Sequence, residues 1–401
     1  MVGKAPPQKV FEKRLPIGPS LGLYKMNNQK IKIVIVINDF LVGGAQKQLV
    51  ELLPYFDRSK FDFSLITLFY FEKRANLYNK LPEWLDVYQL KFKNFHDLRS
   101  WKELYGVIAE IKPDIVMSSL FFSNTIIRLI KPILRYKVIT REHNTYTEKN
   151  FIQRLIDRLL AHLSDKIVAV SKGVADFTSR QEHIPITKFT VIHNGISVDN
   201  IENYRSHLPD KNTLKNSLGF REQDKILINV ARLTPQKNQR LLLNAFAKFA
   251  LENPEYKLLI LGEGPLFGEL NELIIKLKFG DQISLVGHVE NPLDYYLIGE
   301  FFISTSKIEG LSNAYLESLA CGLPLLSTKT AGTDELITEG ENGFFINEHS
   351  VAGVLSGINK MLNKDLKTMG RFAREKVKNF DISVTANNYE TLFINCYENK
   401  I

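Results

Sequence analysis

Cysteine is scarce in this chain: Cys321 and Cys396 are the only two in 401 residues. Two thiols cannot build a disulfide framework, and no Cys/His cluster has zinc spacing, so a reducing cytoplasm is the expected compartment. Long apolar runs are missing too. The longest strand-like stretch, Ile31 to Ile37, falls well short of the ~18 to 20 residues of a membrane span, which leaves a soluble or at most peripheral protein. Residues 1–25, rich in Pro, Gly and Lys, lack the apolar centre of a secretory signal and read as a tag or upstream extension. No Gly-Lys-Ser or Gly-Lys-Thr follows a glycine loop at Walker spacing, which excludes a P-loop. No Asp-x-Asp occurs, so a metal bridging a diphosphate is not expected. Short repeats and low-complexity segments are absent.

What is present is an ordinary globular composition, 44% hydrophobic and 24% charged, which argues against disorder and collagen. The length asks for about two domains at roughly 100 to 200 residues each. Charge is uneven: the net +8 comprises +4 in residues 1–25, +7 in residues 26–200 and −3 in the remainder. A basic front half suits a polyanion or an anionic membrane surface, although excess charge also serves solubility.

Short β-branched runs alternate with longer amphipathic stretches, the pattern of parallel sheets wrapped by helices. Strands are expected at 32–37, 63–69, 115–118, 137–140, 167–170 and 189–192. A polar linker with a short helix follows near 206–223, and a second series runs at 226–230, 257–261, 283–286, 301–305, 323–327 and 343–346. The fold class is therefore α/β, two doubly wound Rossmann-like domains facing a central cleft. They span 26–205 and 206–380, and 381–401 forms a last helix that could pack back on the first. Ligands in such folds sit beyond the carboxyl ends of the strands.

The loops at those ends carry the candidate chemistry. Gly43 and Gly44, after the first strand, would let backbone amides approach an anion, or simply make a tight turn. Arg232 and Lys237, after the first strand of the second half, can converge on a diphosphate beside a helix amino terminus, where the bland alternative is two surface cations. Gly262 and Gly264 miss the dinucleotide fingerprint by one position and read as a turn that clears space, which makes an NAD-dependent dehydrogenase a poor fit. The richest loop holds Glu309, Gly310, Leu311, Ser312 and Asn313, with Glu317 in the following helix. Two carboxylates facing one cavity could accept hydrogen bonds from sugar or ribose hydroxyls, or be a helix-start acid and a solvated residue.

Glu309 and Glu317 form an E-x7-E motif, with Gly43-Gly44, Ser171-Lys172, His193-Asn194-Gly195, Arg232 with Lys237, Gly262-x-Gly264 and Ala331-Gly332 leading to Glu335 in order around it. In this the sequence resembles the retaining GT-B glycosyltransferases of family 4 (glycosyltransferase group 1) over nearly all of residues 30–380. The resemblance implies a nucleotide-sugar donor held mainly by the second domain and an acceptor held by the first. It implies Arg232 and Lys237 as the diphosphate clamp, with Gly44 approaching from the other domain. Glu309 would meet the transferred sugar, Glu317 grip the ribose, and Leu311, Ser312 and Asn313 add backbone donors. His288 and Val289, after Gly287, would line the base, and His143 would be an active-site histidine, though packing beside a strand end is an equal alternative.

A retaining glycosidase needs two carboxylates about 5 Å apart, whereas Glu309 and Glu317 on one helix start would lie about 12 Å apart by helical rise. Double displacement is disfavoured. The resemblance implies front-face substitution with fixed cations neutralising the leaving diphosphate. In its Glu309-Gly310-Leu311-Ser312-Asn313 form the motif resembles that of enzymes using UDP-hexoses or UDP-N-acetylhexosamines, so the resemblance implies a UDP-sugar, with GDP-mannose second and no other cofactor. For the acceptor, Phe69, Tyr70, Phe71, Lys73, Arg74, Lys91, Phe92, Lys93 and Phe95 mix aromatic and basic character, and Arg128, Lys131, Arg135 and Lys137 form a second basic cluster. Both suit anionic headgroups or a polyprenyl-linked glycan, and buried aromatics with solvated helices explain them equally. The expected setting is cell-surface polysaccharide synthesis on the inner face of the cytoplasmic membrane. A UDP-sugar 2-epimerase and a non-catalytic sugar-nucleotide binder share the architecture, and nucleic-acid binding has no supporting motif.

Overall fold

The computed structural model describes residues 29–71 and 75–399, so residues 1–25, read above as a tag or extension, and two acceptor candidates, Lys73 and Arg74, lie outside the described residues. Two parallel sheets organise the chain. The first contains β1 (Ile31–Ile37), β2 (Phe61–Thr67), β3 (Asp86–Gln89), β4 (Ile115–Ser119), β5 (Lys137–Glu142), β6 (Lys166–Ala169) and β7 (Phe189–Val191) in the order β3-β2-β1-β4-β5-β6-β7. The second contains β8 (Lys225–Val230), β9 (Tyr256–Leu261), β10 (Ile283–Gly287), β11 (Phe301–Ser304), β12 (Leu325–Thr328) and β13 (Gly343–Ile346) in the order β10-β9-β8-β11-β12-β13. β1 shows why these runs pair: Ile31, Ile33, Ile35 and Ile37 face one hydrophobic layer and Val34 and Val36 the other. A strand covered on both faces reads as a continuous β-branched run.

Each sheet reverses its strand order once, between β1 and β4 and between β8 and β11. Crevices open at such switch points. The loops leaving β1, β8 and β11 are those of Gly43-Gly44, Arg232 with Lys237, and Glu309. β3 is the strand that the sequence did not announce. Its four residues, Asp86–Gln89, lie at the sheet edge and none is buried, so neither alternation nor an apolar run marks it.

The lobes are tied at their base. The chain crosses from the first lobe at Ile196 and returns beside it, Ile196 N–H donating to Phe380 O at 3.0 Å and Ile382 N–H donating to Ile196 O at 3.0 Å. The helix Ile382–Tyr397 then lies on the first sheet, burying Ile382, Ala386, Tyr389, Phe393 and Cys396 against residues of β1, β2 and β4.

Candidate active site

The β8 loop carries Arg232 outward while Leu233 beside it is fully buried. Gly262 and Gly264 explain how that loop is held. A Cβ on Gly262, whose φ is +135°, would lie 2.1 Å from Ala231 O, and one on Gly264 would lie 2.3 Å from Leu233 O. Leu233 N–H also donates to Glu263 O at 2.9 Å. The space these glycines clear is thus filled by the Arg232 loop, which packs directly against their backbone. Gly262 N–H donates to Gly287 O at 2.7 Å, which brings the exposed His288 and the half-buried Val289 alongside.

Lys237 lies just outside the helix amino terminus beside it. It precedes Asn238, a left-handed residue at φ 53°, and the helix begins at Gln239. This kink lets the ammonium of Lys237 pair with the Glu309 carboxylate. Ser306 Oγ donates to the same carboxylate at 3.0 Å. The two loops are stitched together by Lys307 N–H to Gln236 O at 2.8 Å and by Gln236 Nε2 to Ile308 O at 2.7 Å. Glu309 lies in the loop ahead of the helix Asn313–Ala320, so a distance by helical rise does not apply to the pair. The structure separates the two carboxylates chemically instead. Glu309 belongs to Lys237 and Ser306, whereas Glu317 accepts from Tyr296 Oη at 3.0 Å and pairs with Lys47 of the opposite lobe. Both are buried. Lys47 and Tyr296 are functional candidates that sequence reasoning missed. The one signal for Lys47 was its place in the helix, Gly44–Leu52, that Gly43 begins.

The first lobe approaches this loop with backbone as well as side chains. A Cβ on Gly310 would lie 2.1 Å from His143 O, so glycine is required for the lobes to meet there. Asn313 Nδ2 donates to Gly44 O at 3.3 Å, and Asn194 Nδ2 donates to Leu311 O at 2.9 Å and Asn313 Oδ1 at 3.0 Å. Ser312 precedes the helix without a side-chain cap. Orphan N–H groups of such a first turn are suited to anions. His143 Nε2 is buried with no hydrogen-bond partner among the described residues. Burial, reinforced by the Arg141 guanidinium, holds its pKa well below the ordinary histidine value, so the ring is neutral. A second interlobe seam joins Ser171 Oγ to Ala331 O at 3.2 Å, Lys172 N–H to Glu335 Oε1 at 2.8 Å, and His193 Nε2 to Glu335 Oε2 at 2.6 Å. Burial raises the Glu335 pKa, but His193 and the Lys172 N–H outweigh it and hold the carboxyl below its usual range.

The proposed acceptor patches are only partly exposed. Phe92 is buried and Phe69 packs on Phe122 at 4.9 Å, leaving Tyr70, Phe71 and Phe95 on the surface. The second basic cluster does not exist as a surface. Arg128 is buried against Asp157, and Lys131 and Lys137 both pair with Asp165, so Arg135 alone of the four is exposed.

Two doubly wound lobes that meet face to face have the GT-B architecture. The first lobe matches the family model "Glycosyltransferase Family 4" over residues 42–200 and the second matches "Glycosyl transferases group 1" over residues 210–379. The chain belongs to this family, the group 1 or family 4 glycosyltransferases. One relative, from Campylobacter jejuni, is N-acetylgalactosamine-N,N'-diacetylbacillosaminyl-diphospho-undecaprenol 4-alpha-N-acetylgalactosaminyltransferase, 31% identical over 59% of this chain and 62% of its own length. N-acetyl-alpha-D-glucosaminyl L-malate synthase of Bacillus anthracis is 29% identical over 46% of this chain and 49% of its own, so the chain spans less than two thirds of either relative. Alpha-monoglucosyldiacylglycerol synthase of Acholeplasma laidlawii is 25% identical over 79% of this chain and 83% of its own. Among solved structures, the Anabaena HepE protein with UDP and glucose superposes with a TM-score of 0.76 at 19% identity, covering 90% of this chain and 99% of that one. A glycosyltransferase from Rickettsia africae gives 0.77 at 20% identity, covering 92% and 99%. At these identities the likeness is one of fold.

Proposed function

We propose that the protein transfers a hexose or N-acetylhexosamine from a UDP-sugar to a lipid-linked glycan or glycolipid, with retention and without a metal. The observation that carries this reading is the buried Glu309 carboxylate, held by Ser306 and Lys237 where the His143 segment of the other lobe meets Gly310. Arg232 and Lys237 take the diphosphate, and Glu317 with Tyr296 takes the ribose. The C1–oxygen bond to the diphosphate breaks while the acceptor hydroxyl attacks the same face. Its proton passes to the departing diphosphate, and the cations stabilise the charge that develops there. Glu309 and the neutral His143 orient the sugar. Supporting the donor is the UDP in the Anabaena fold neighbour. Supporting the acceptor are the undecaprenol-diphosphate and diacylglycerol in the names of two relatives.

Thermal-shift titration with UDP, GDP and ADP, followed by transfer assays, tests the proposal. UDP is expected to stabilise both the wild type and Glu309→Gln, while Glu309→Gln lowers transfer by roughly 10²-fold or more, the scale of losing one preorganised electrostatic contact. Stabilisation by GDP alone overturns the donor, and stabilisation by none of the three overturns the site.

A further inference from the structure

The helix Phe151–Leu160 is inside out. An amphipathic surface helix ordinarily buries its apolar stripe and shows its charges to water. Here Phe151, Ile152, Leu155 and Leu159 are 76%, 65%, 40% and 59% exposed. At 100° per residue these four fall on one face. The opposite face is fastened by charge: Asp157, 1% exposed, pairs with Arg128 at 2.9 Å and with Lys149 at 2.8 Å. The arrangement is built rather than frayed, because Asn150 and Gln153 form a reciprocal capping box at the helix start. The neighbouring helix Phe121–Leu134, which carries Arg128, adds Leu129 and Ile133 at 40% and 67% exposure. Arg135 and Arg158 are exposed on the same two segments and make no ion pair among the described residues.

We propose that this face docks on an anionic lipid bilayer, with Phe151, Ile152, Leu155 and Leu159 entering the headgroup boundary and Arg135 and Arg158 meeting lipid phosphates. Exposed apolar side chains accompanied by arginines on this helix and at the end of its neighbour match what an interfacial element requires. The helix begins shortly after the His143 loop, at the carboxyl edge of the first sheet, so a docked membrane lies on the acceptor side of the cleft. Among the described residues no helix is long and apolar enough to cross a membrane, and attachment through this face does not require one. The inference rests on the lipid-acceptor reading above and narrows it to one surface.

Flotation of the full chain with phosphatidylglycerol-containing vesicles and with phosphatidylcholine vesicles tests it, using Phe151→Ser/Ile152→Ser/Leu159→Ser and Arg135→Ala/Arg158→Ala. UDP-induced thermal stabilisation serves as the check on folding. The wild type is expected to float with the anionic vesicles, the triple variant to bind them at least tenfold more weakly, and the arginine variant to lose its anionic preference. Failure of the wild type to float, or unchanged flotation of the triple variant, overturns the proposal. So does a concentration-dependent dimer in light scattering that the same triple variant abolishes, since the face then belongs to a second copy. Sugar transfer to a detergent-solubilised lipid acceptor is measured alongside. Transfer without flotation discards the docking face and leaves the function standing, whereas flotation without transfer to any lipid acceptor discards the functional reading.

Discussion

Behind the His143 loop, Glu142, Asp157 and Glu182 share two cations. Lys149 Nζ lies 2.8 Å from Asp157, 2.5 Å from Glu182 and 3.8 Å from Glu142, and Arg128 holds Asp157 at 2.9 Å. Three buried carboxylates against two cations leave one excess negative charge. Burial, and then the charge of Glu142, push the Glu182 pKa from the ordinary 4.5 up to about 7. A carboxyl whose folded pKa is raised favours the folded state fully below its unfolded pKa, and that contribution is lost as pH rises through the folded value. The melting temperature of the wild type should therefore fall more between pH 5 and pH 8 than that of Glu182→Gln, measured by thermal denaturation across that range. Equal slopes would remove Glu182 as the titrating group. The sequence presents each of these acids as an ordinary helix or strand-end charge. Their coupling depends on distances between β5 and two helices, which spacing along the chain does not encode.

Elements were more legible than residues. Twelve strands announce themselves through β-branched runs such as Ile31–Ile37, because a parallel strand covered on both faces must be apolar nearly throughout. β3 stayed hidden because an edge strand with no buried residue has no such constraint. The last helix, Ile382–Tyr397, was legible as a helix, but only packing reveals which lobe it stabilises. Phe393 is fully buried, with its ring 5.9, 5.8 and 6.2 Å from those of Phe56, Phe61 and Phe63. Phe393→Ala should destabilise the first lobe by about 3–5 kcal/mol, the usual range for a buried Phe-to-Ala cavity. Urea unfolding followed by far-UV circular dichroism reads this, and a loss below about 1 kcal/mol would mean that the helix is not part of that core.

At the scale of the whole molecule, the lobes are joined across the cleft by buried and half-buried side chains. Lys47, on the first lobe, pairs with Glu317 on the second while Tyr296 donates to the other carboxylate oxygen. The Lys47 pKa is lowered by burial, but Glu317 and Glu51 outweigh this and raise it, so the amine stays charged. The lysine side chain is 43% exposed, and such a pair is worth at most about 1 kcal/mol. Lys47→Ala should accordingly raise KM for the nucleotide sugar by roughly fivefold with a smaller change in kcat, as steady-state kinetics would show. An unchanged KM would place the pair outside donor binding. The sequence by itself determined the two doubly wound lobes, the order of their loops and the E-x7-E motif, because strand periodicity and glycine spacing are local properties. It also supplied Arg232, Lys237, Glu309 and Glu317 as candidates. Only the tertiary structure decided that Glu309 pairs with Lys237 and Glu317 with Lys47, that Gly262 and Gly264 brace a neighbouring loop, and that Arg128 is buried. It also decided that an apolar helix face points outward. Each of those depends on which distant surfaces the fold brings within a few ångströms, and the fold sets such contacts through packing over the entire chain.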